Sequence, residues 1–457
     1  MNALNARFRF TVSDGERVLS LQESEHFRIY PTERFGRFGE DLTARQVDMI
    51  RIATAVHVAD SWCRRRQEYS GLRIPVLQVE VLDPAFWLQP ATMDYLKPCV
   101  DFVSGGDDWQ FSFLDAKIHH ERVATLFPKY CHDTLVAPYS GGLDSACGLA
   151  LRAAAQPGRM FVPVTIRHQM QKSSLVRRHF ALLLDRLLLE RADLNAFQAG
   201  AFIRKKHIER DLGEVFRETT HRCRPLLFMA VAGIVAHSFS APVVEVFESG
   251  VGSINLPLVG GPADYHTTRS THPAFLRLLS ALLSHVNDSA VSYVLPFADK
   301  TKAEMVKQLK GLGLEELARS SFSCIAHPLR RNGWQQCGYC PACVFRRRAM
   351  HSAGIVEQEA YAIDLFAGAD SHTAISERQM FCVRAFHQQV EHLRELDHGV
   401  APESFYRYLR ATEVPLTEDA MALEVHRRYR EEWLLLIAEG RHRGFPWLVP
   451  TTSLAVA

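Results

Sequence analysis

The spacing of apolar residues in the first 130 positions changes between the period of a strand and the period of a helix. Residues 7–10 and 109–113 alternate polar and apolar side chains, and residues 74–82 form an apolar run rich in β-branched residues, so all three patterns predict strands. Residues 44–66 repeat apolar side chains at helical spacing. We therefore predict a small α+β domain over residues 1–130.

The next segment, residues 131–350, alternates short apolar runs with helical stretches, which is typical of a parallel sheet flanked by helices. The predicted strands are 135–139, 160–166, 243–247 and 291–295, and the predicted helices are 145–155, 174–191, 223–239 and 302–310. Residues 351–457 are predicted to be mainly helical, for example over 377–396 and 420–440. The expected fold class is α/β: a parallel-sheet core with an N-terminal α+β domain and a C-terminal helical region.

Composition narrows the class of protein. The 457 residues contain 53 Lys and Arg against 51 Asp and Glu, a near-neutral balance that makes nucleic acid an unlikely partner. No run of eighteen apolar residues occurs and residues 1–10 have no apolar signal core, so we expect a cytoplasmic protein without a membrane span. The ten cysteines fit that compartment as thiols or metal ligands.

A short glycine loop joins the first predicted strand of the core to a helix; it reads Ser140, Gly141, Gly142, Leu143, Asp144 and Ser145. The two glycines can adopt backbone angles closed to other residues, and they have no Cβ that would block an anion. Backbone N–H groups can then converge on a phosphate, which the positive end of the following helix also favours. The pattern therefore predicts a nucleotide phosphate site.

The polar side chains of this loop have separate expected roles. Ser140 and Ser145 offer hydroxyl donors, whereas Asp144 would repel phosphate and is expected to hold Mg²⁺ through water or to orient the loop. The simpler alternative is a tight turn followed by a helix N-cap. The loop lacks the Lys-Ser/Thr ending of a Walker A motif, so a kinase or GTPase is not expected.

Four cysteines cluster late in the core segment, at Cys324, Cys337, Cys340 and Cys343. Two consecutive two-residue spacings place three thiolates on one knuckle, and four thiolates form a closed tetrahedral zinc site that is structural. Gly338 would permit the tight turn between ligands. An iron–sulfur cluster and a redox pair are the alternatives. We interpret the other cysteines as small buried side chains.

The loop resembles the SGGxDS signature of the PP-loop ATP pyrophosphatases, which split ATP between its α and β phosphates. The cysteine segment resembles the zinc region of the family of 7-cyano-7-deazaguanine synthase (QueC). Further similarities lie at Thr301-Lys302-x-Glu304, at Asp264-Tyr265 and at Arg222 before an apolar helix. The resemblance covers residues 131–350. It implies ATP, Mg²⁺ and structural Zn²⁺ as cofactors.

The resemblance also implies site residues. Lys302 and Arg222 are expected to join the loop in catalysis, and the substrate candidates are Asp264, Tyr265, Arg269, His272 and Arg346. The next two arginines, Arg347 and Arg348, are expected to lie on a solvated helix face.

The activity implied by the resemblance is ATP-dependent adenylation of a 7-carboxy-7-deazaguanine-like carboxylate, followed by amide or nitrile formation. Glu248-Ser-Gly, Asn255-Leu-Pro and His272-Pro273 are similar to the QueC-like proteins of bacterial anti-phage systems, the QatC proteins and the type IV CBASS members. A tRNA-modifying enzyme, such as a thiolase or another amidation enzyme, and a nucleotide-binding defence scaffold are the alternative functions.

The segments outside the core suggest a partner. They contain aromatic residues that could form a docking surface: Trp87, Trp109, Phe405, Tyr406 and Trp433. One hypothesis is therefore that the activated deazaguanine is joined to an amine of a partner protein from the same operon. The alternative is that these aromatics cover the core or form a homodimer interface.

Overall fold

The computed structural model divides the chain into two compact units. The first comprises residues 1–140, 153–246 and 268–294, and the second comprises residues 141–152, 247–267 and 295–457. The structure describes residues 8–31, 42–63, 65, 72–118, 120, 133–166, 170–187, 197–213, 218, 222–258, 268–325, 335–357, 361–368, 375–400 and 402–448. The boundaries predicted at residues 130 and 350 stay a prediction.

Strands occur in the first unit. They are β1 (Arg9–Ser13), β2 (Val18–Gln22), β3 (Phe27–Pro31), β4 (Val76–Val81), β5 (Gln110–Asp115), β6 (Thr134–Tyr139), β7 (Met160–Ile166), β8 (Phe197–Ile203), β9 (Val243–Glu245) and β10 (Ser292–Val294). The larger sheet has the order β10-β9-β6-β7-β8-β3, in which the first five strands run parallel and β3 is antiparallel to β8. The predicted parallel α/β core is confirmed.

Part of the N-terminal segment is built into that larger sheet. In the β3–β8 pair, Ile29 lies opposite Ala201. The other N-terminal strands form a mixed sheet of order β2-β1-β4-β5, in which only the pair β4–β5 is parallel. The N-terminal segment is α+β, as the alternating patterns predicted, and it supplies one edge strand of the central sheet.

The helices of the described residues are α1 (Ala44–Asp60), α2 (Pro84–Trp87), α3 (Pro90–Ser104), α4 (Leu143–Ala155), α5 (Met170–Arg186), α6 (Lys205–Leu212), α7 (Arg224–Ser238), α8 (Gly250–Ile254), α9 (Pro273–Asn287), α10 (Lys302–Gly311), α11 (Glu315–Ser320), α12 (Pro341–Ser352), α13 (Glu377–His392), α14 (Glu403–Ala411) and α15 (Asp419–Arg443). Short 3₁₀ turns occupy Arg394–His398, Leu416–Glu418 and Pro446–Leu448. None of the helices in this part of the chain is long and apolar enough to cross a membrane.

Two helices of the first unit are buried on nearly every face. Helix α1 begins at a capping box, in which Thr43 caps the first turn and Gln46 bonds back to the Thr43 backbone. It packs against α7, which is apolar all round. A helix with no polar face must lie in a core. The helix predicted over residues 44–66 therefore exists, but it ends at Asp60.

The second unit has a core of its own around the C-terminal helices. Trp433, Tyr429 and Trp447 are its largest side chains, and all three are almost completely buried. Trp433 of α15 packs edge-to-face against both Tyr429 and Trp447. The predicted helical C-terminal region is confirmed.

The aromatic docking surface proposed from the sequence is wrong for four of its five members. Trp87, Trp109, Trp433 and Phe405 are each at most 2% exposed, and only Tyr406, at 40%, faces solvent. These side chains fill the cores of their units because large aromatics stabilise most when they leave water completely.

A buried ion network ties together three parts of the first unit. The guanidinium of Arg73 donates to the carboxylates of Asp60 (2.6 Å) and Asp107 (2.5 Å), and Arg65 donates to Asp107 at 2.8 Å. Asp60 also accepts from the backbone N–H of Cys223 at 3.0 Å, just before α7. Burial alone would raise the pKa of Asp60. The charge of Arg73 and the hydrogen bond from the Cys223 N–H outweigh burial, so the pKa lies below its ordinary value. Its stabilising contribution is therefore present above its ordinary pKa and is lost as the pH falls through the lowered value.

We predict that Asp107→Asn lowers the free energy of unfolding by about 3 kcal/mol, because it leaves the buried charge of Arg73 with one carboxylate fewer. The control is Asp108→Asn, the next residue, whose side chain is 53% exposed and pairs with Lys97. The control should lose less than about 1 kcal/mol. Urea unfolding at neutral pH measures both, and equal losses would contradict the assignment.

Candidate functional site

The glycine loop lies between β6 and α4. Gly141 has a φ of +76°, in the region that favours glycine, and its carbonyl accepts from Phe322 N at 2.9 Å. Ser145 donates its hydroxyl to the carbonyl of Gly142 at 3.0 Å, so this side chain braces the loop. A side chain larger than hydrogen at Gly148 would overlap Phe247. The loop therefore has the strand–glycine–helix form that predicts a phosphate site.

A charge cluster lies on this loop within the second unit. The ammonium of Lys302 forms an ion pair with Asp144, and one carboxylate oxygen of Glu248 lies 3.8 Å from it. Lys302 is the first residue of α10, which starts at a capping box: Thr301 Oγ1 accepts from Glu304 N at 3.1 Å, and Glu304 accepts from Thr301 N at 2.9 Å. The structure thus brings the two predicted residues Lys302 and Asp144 together.

The environment of this cluster shifts the pKa values of Glu248 and Lys302. Burial raises the pKa of Glu248 to about 8, and the charge of Asp144 raises it too, while Lys302 opposes both. Burial would lower the pKa of Lys302, but the two carboxylates outweigh it and the pKa rises. At neutral pH this site therefore holds the charged ammonium of Lys302 beside a mostly protonated carboxyl group of Glu248.

Glu248 was not among the predicted site residues. It follows β9 and precedes Ser249, whose hydroxyl caps α8 by accepting from Gly252 N at 3.3 Å. The available signal was a carboxylate directly after a short apolar strand and before a glycine. That signal is weak, because only the fold shows that Glu248 lies beside Lys302.

The four cysteines come together as the spacing predicted. The Sγ atoms of Cys324, Cys337, Cys340 and Cys343 all lie within 4.8 Å of one another, and all four residues are buried. Four converging thiols at this separation fit a tetrahedral metal such as zinc.

Neighbouring groups shape the cysteine cluster. Gly338 has a φ of +85°, and a Cβ there would lie 2.0 Å from the carbonyl oxygen of Ile363, so the turn between ligands requires glycine. The side-chain carbonyl of Gln336 accepts from the backbone N–H groups of Ser323 (2.9 Å) and Cys324 (3.1 Å). This bond holds the first ligand against the knuckle.

The arginines after the knuckle differ from expectation. Arg347 and Arg348 are 8% and 0% exposed, so the predicted solvated helix face is wrong. Arg347 pairs with Asp364 and lies over the ring of Tyr361 at 4.4 Å. The substrate candidate Arg346 donates to Glu357 at 2.7 Å and is completely buried. The observed contacts of these arginines join α12 to its surroundings in the second unit.

The other substrate candidates belong to the first unit or lie outside the described residues. Arg269 and His272 meet around Phe102: the guanidinium lies 4.8 Å from the ring centroid and the imidazole 5.3 Å. His272 caps α9 by accepting from Ala274 N at 3.2 Å, and burial, with Arg269 nearby, lowers its pKa to about 3. Asp264 and Tyr265 lie outside the described residues.

Arg222 is 8% exposed at the start of α7. A Cβ at Gly105 would lie 2.5 Å from its Nη1, so glycine there makes room for the guanidinium. Its role in binding phosphate or carboxylate stays a prediction.

The described cysteines outside the metal cluster are buried, as expected. Burial raises the pKa of Cys147 and of Cys223 far above the ordinary thiol value. A protonated, inaccessible thiol is a poor nucleophile. Cys131, the third cysteine near the loop in sequence, lies outside the described residues.

The segment that carries the glycine loop and the four-cysteine cluster is similar to a known protein family. Residues 134–354 match the family model described as "Queuosine biosynthesis protein QueC". Over 97 residues the chain is 32% identical to a 7-cyano-7-deazaguanine synthase of Methanococcus maripaludis strain C5, and over 95 residues 30% identical to that of strain C6. Each match covers 20% of this chain and 40% of the relative. The chain thus spans less than half the length of these relatives.

We predict one zinc and little iron per chain, because four buried thiolates and no open position suit a structural zinc. Cys343→Ser should reduce zinc well below one equivalent and lower the melting temperature, since metal binding contributes to folding. Elemental analysis and thermal melting measure these effects.

The matched control is Cys382→Ser, a buried cysteine on α13 outside the cluster. It should retain full zinc. A brown protein with stoichiometric iron would contradict the zinc assignment.

Proposed function

We propose that the chain is an ATP-using enzyme that activates a carboxylate as an acyl-adenylate, releases pyrophosphate and transfers the acyl group to nitrogen. The observation that carries this proposal is the partly buried Lys302–Asp144–Glu248 cluster at a glycine loop. The match of residues 134–354 to the QueC family supports it.

The groups at the loop suit the proposed reaction. A carboxylate oxygen of the substrate attacks the α-phosphorus of ATP, and the bond to the bridging oxygen of the β-phosphate breaks. The leaving pyrophosphate gains negative charge, which the ammonium of Lys302 and the N–H groups at the start of α4 would stabilise. Lys302 can serve this purpose because its pKa is raised and its charge is retained.

The same cluster fits a magnesium ion. Asp144 and Glu248 supply carboxylate oxygens, which are the ligands that Mg²⁺ prefers together with phosphate oxygens. When bound, the metal would offset phosphate charge. With ATP present, the ammonium of Lys302 would exchange its carboxylate partner for phosphate oxygens.

We propose a 7-carboxy-7-deazaguanine-like substrate, with ammonia as the nitrogen source. Ammonia displaces AMP and gives an amide; a second ATP then adenylates the amide oxygen with release of pyrophosphate, and loss of that oxygen with AMP and of the two amide protons gives a nitrile as the final product. The names of the relatives from Methanococcus maripaludis support this class. Arg222 is the proposed partner of the substrate carboxylate, since a guanidinium binds carboxylates with two parallel hydrogen bonds.

A tRNA thiolase is a weaker candidate. Such an enzyme needs a reactive cysteine outside the metal site, and the described candidates are buried with raised pKa values. A nucleotide-binding scaffold would hold ATP without turning it over, so the release of pyrophosphate distinguishes it from an enzyme.

Conjugation of the activated deazaguanine to a partner protein in anti-phage defence stays a hypothesis that the segments outside the core suggest. The burial of Trp87, Trp109, Phe405 and Trp433 removes the docking-surface argument for it. What still supports it is that the family match leaves more than half of the chain outside residues 134–354.

We predict that Asp144→Ala, Ser140→Ala and Glu248→Gln each lower the rate of pyrophosphate release about a hundredfold or more. The first two variants remove a polar group at the phosphates, and the third removes a carboxyl group that would bind Mg²⁺. Asp144→Ala should also lower the melting temperature, because it removes the close anion beside the buried ammonium of Lys302. Ser140→Ala and Glu248→Gln should change it little, since Glu248 is already mostly protonated at neutral pH. ATP should also stop raising the melting temperature of the Asp144 variant.

The control is Asp299→Asn, a carboxylate near Lys302 in sequence whose side chain is 55% exposed. It should keep the wild-type rate. Wild-type turnover in both Asp144→Ala and Ser140→Ala would show that the loop is not the catalytic phosphate site.

The nitrogen acceptor is tested by mass spectrometry. With carboxydeazaguanine, ATP and ammonia, we expect free nitrile, while operon partner proteins co-expressed with this chain keep their mass. A partner that gains the mass of an amide-linked deazaguanine, and loses it with Asp144→Ala, would instead show a protein acceptor.

A further inference from the structure

Helix α15 lies outside the family match, which ends at residue 354, yet it reaches the beginning of α10 in the second unit. Glu432 of α15 accepts a hydrogen bond of 2.5 Å from Thr301 Oγ1. Its other carboxylate oxygen forms an ion pair with Arg348, which is completely buried. One carboxylate therefore connects α15 both to the zinc-knuckle helix α12 and to the cap of α10.

A second side chain of α15 holds the same turn. Arg428 donates from Nε to a carboxylate oxygen of Glu304 at 2.8 Å, and it also donates to the backbone carbonyl of Asp299. Glu304 is the other half of the capping box that Thr301 begins. Both capping residues of α10 are thus bonded to α15.

The residue between these contacts is Lys302. Its ammonium lies 4.7 Å from the ring centroid of Phe345 on α12 and pairs with Asp144 of the glycine loop. A lysine has four rotatable side-chain bonds, so its ammonium is placed accurately only if its backbone and its surroundings are fixed. The contacts from α15 fix that backbone.

We propose that α15 is a working part of the ATP site, in which Glu432 and Arg428 are positioning residues that hold the start of α10 so that Lys302 meets the phosphates. This inference rests on the proposed function, because it assigns Lys302 to bound ATP. According to this proposal, the C-terminal segment positions a residue that binds ATP and does not only cover the core.

The ion pair between Arg348 and Glu432 also has an energetic basis. Arg348 is a cation removed from water, and burial lowers its pKa to about 10 although Tyr429, Asp144 and Glu304 oppose that change. A buried cation of this kind needs a nearby carboxylate, and Glu432 supplies it. The ion pair therefore fixes the distance between α12 and α15, and with it the position of Thr301.

The test is a double-mutant cycle between Arg428 and Lys302. Arg428→Gln should weaken the binding of a non-hydrolysable ATP analogue about fivefold, as expected for coupled neighbours. In a Lys302→Gln background, the same change should have almost no further effect. Calorimetry measures binding, at analogue concentrations raised to suit the weakest variant.

The matched control is Arg427→Gln. Arg427 precedes Arg428 on α15, has a similar exposure and pairs with Glu424 and Glu431 of its own helix. Both variants should melt near the wild-type temperature. A difference in analogue binding between them would then not result from a loss of stability. Only Arg428→Gln should weaken binding of the analogue.

Glu432→Gln adds an independent variant. The amide keeps an acceptor for Thr301 but removes the charge beside Arg348, so the rate of pyrophosphate release should fall about tenfold or more while the melting temperature shows whether the fold is intact. Glu431→Gln, with an exposed carboxylate on the same helix, is its control. If Glu432→Gln does not fold, the Arg428 cycle decides.

The outcomes separate the two proposals. If the wild-type protein binds no ATP analogue, the proposed function fails and the role of α15 fails with it. If the wild type binds but Arg428→Gln equals Arg427→Gln, or if the effects of Arg428→Gln and Lys302→Gln simply add, the role of α15 is overturned and the proposed function stands.

Discussion

The second unit is organised around one buried ammonium, that of Lys302. Removing such a charge from water costs several kcal/mol unless anions approach it closely. Asp144 provides one from the start of α4, and the carboxyl group of Glu248, in the segment before α8, lies 3.8 Å away. The need to neutralise one cation therefore draws the glycine loop, the segment before α8 and the start of α10 into a single site.

The need of a buried cation for a nearby anion also explains the contacts of the three consecutive arginines on α12. Each finds a carboxylate partner: Arg346 with Glu357, Arg347 with Asp364 and Arg348 with Glu432. A guanidinium keeps its charge under almost all conditions, so each burial fixes a partner from another segment. In the first unit Arg73 does this with Asp60 and Asp107. Buried arginines thus decide which distant segments must meet.

The features of this protein that could be predicted from its sequence are those that depend on residues close together in the chain. The strand–glycine–helix order and the apolar strands each occupy a few consecutive residues, and the four cysteines lie in one segment from Cys324 to Cys343. The structure contains all of these features. The misjudged residues are those whose environment depends on distant partners. Arg348 resembles a solvated residue until Glu432 is placed beside it, and Trp433 resembles a surface aromatic until Tyr429 and Trp447 enclose it. Glu248 was missed for the same reason.

The terminal segments are therefore parts of the fold rather than additions to it. In the first unit, β3 completes an edge of the central sheet, so its loss would leave the backbone N–H and C=O groups of β8 without that neighbour. In the second unit, removing α15 would leave the charge of Arg348 without Glu432 and open the core around Trp433. Both consequences are costly, because unpaired buried charge and exposed aromatic surface each destabilise by several kcal/mol. A core limited to residues 134–354 would therefore lack contacts on which its own site depends.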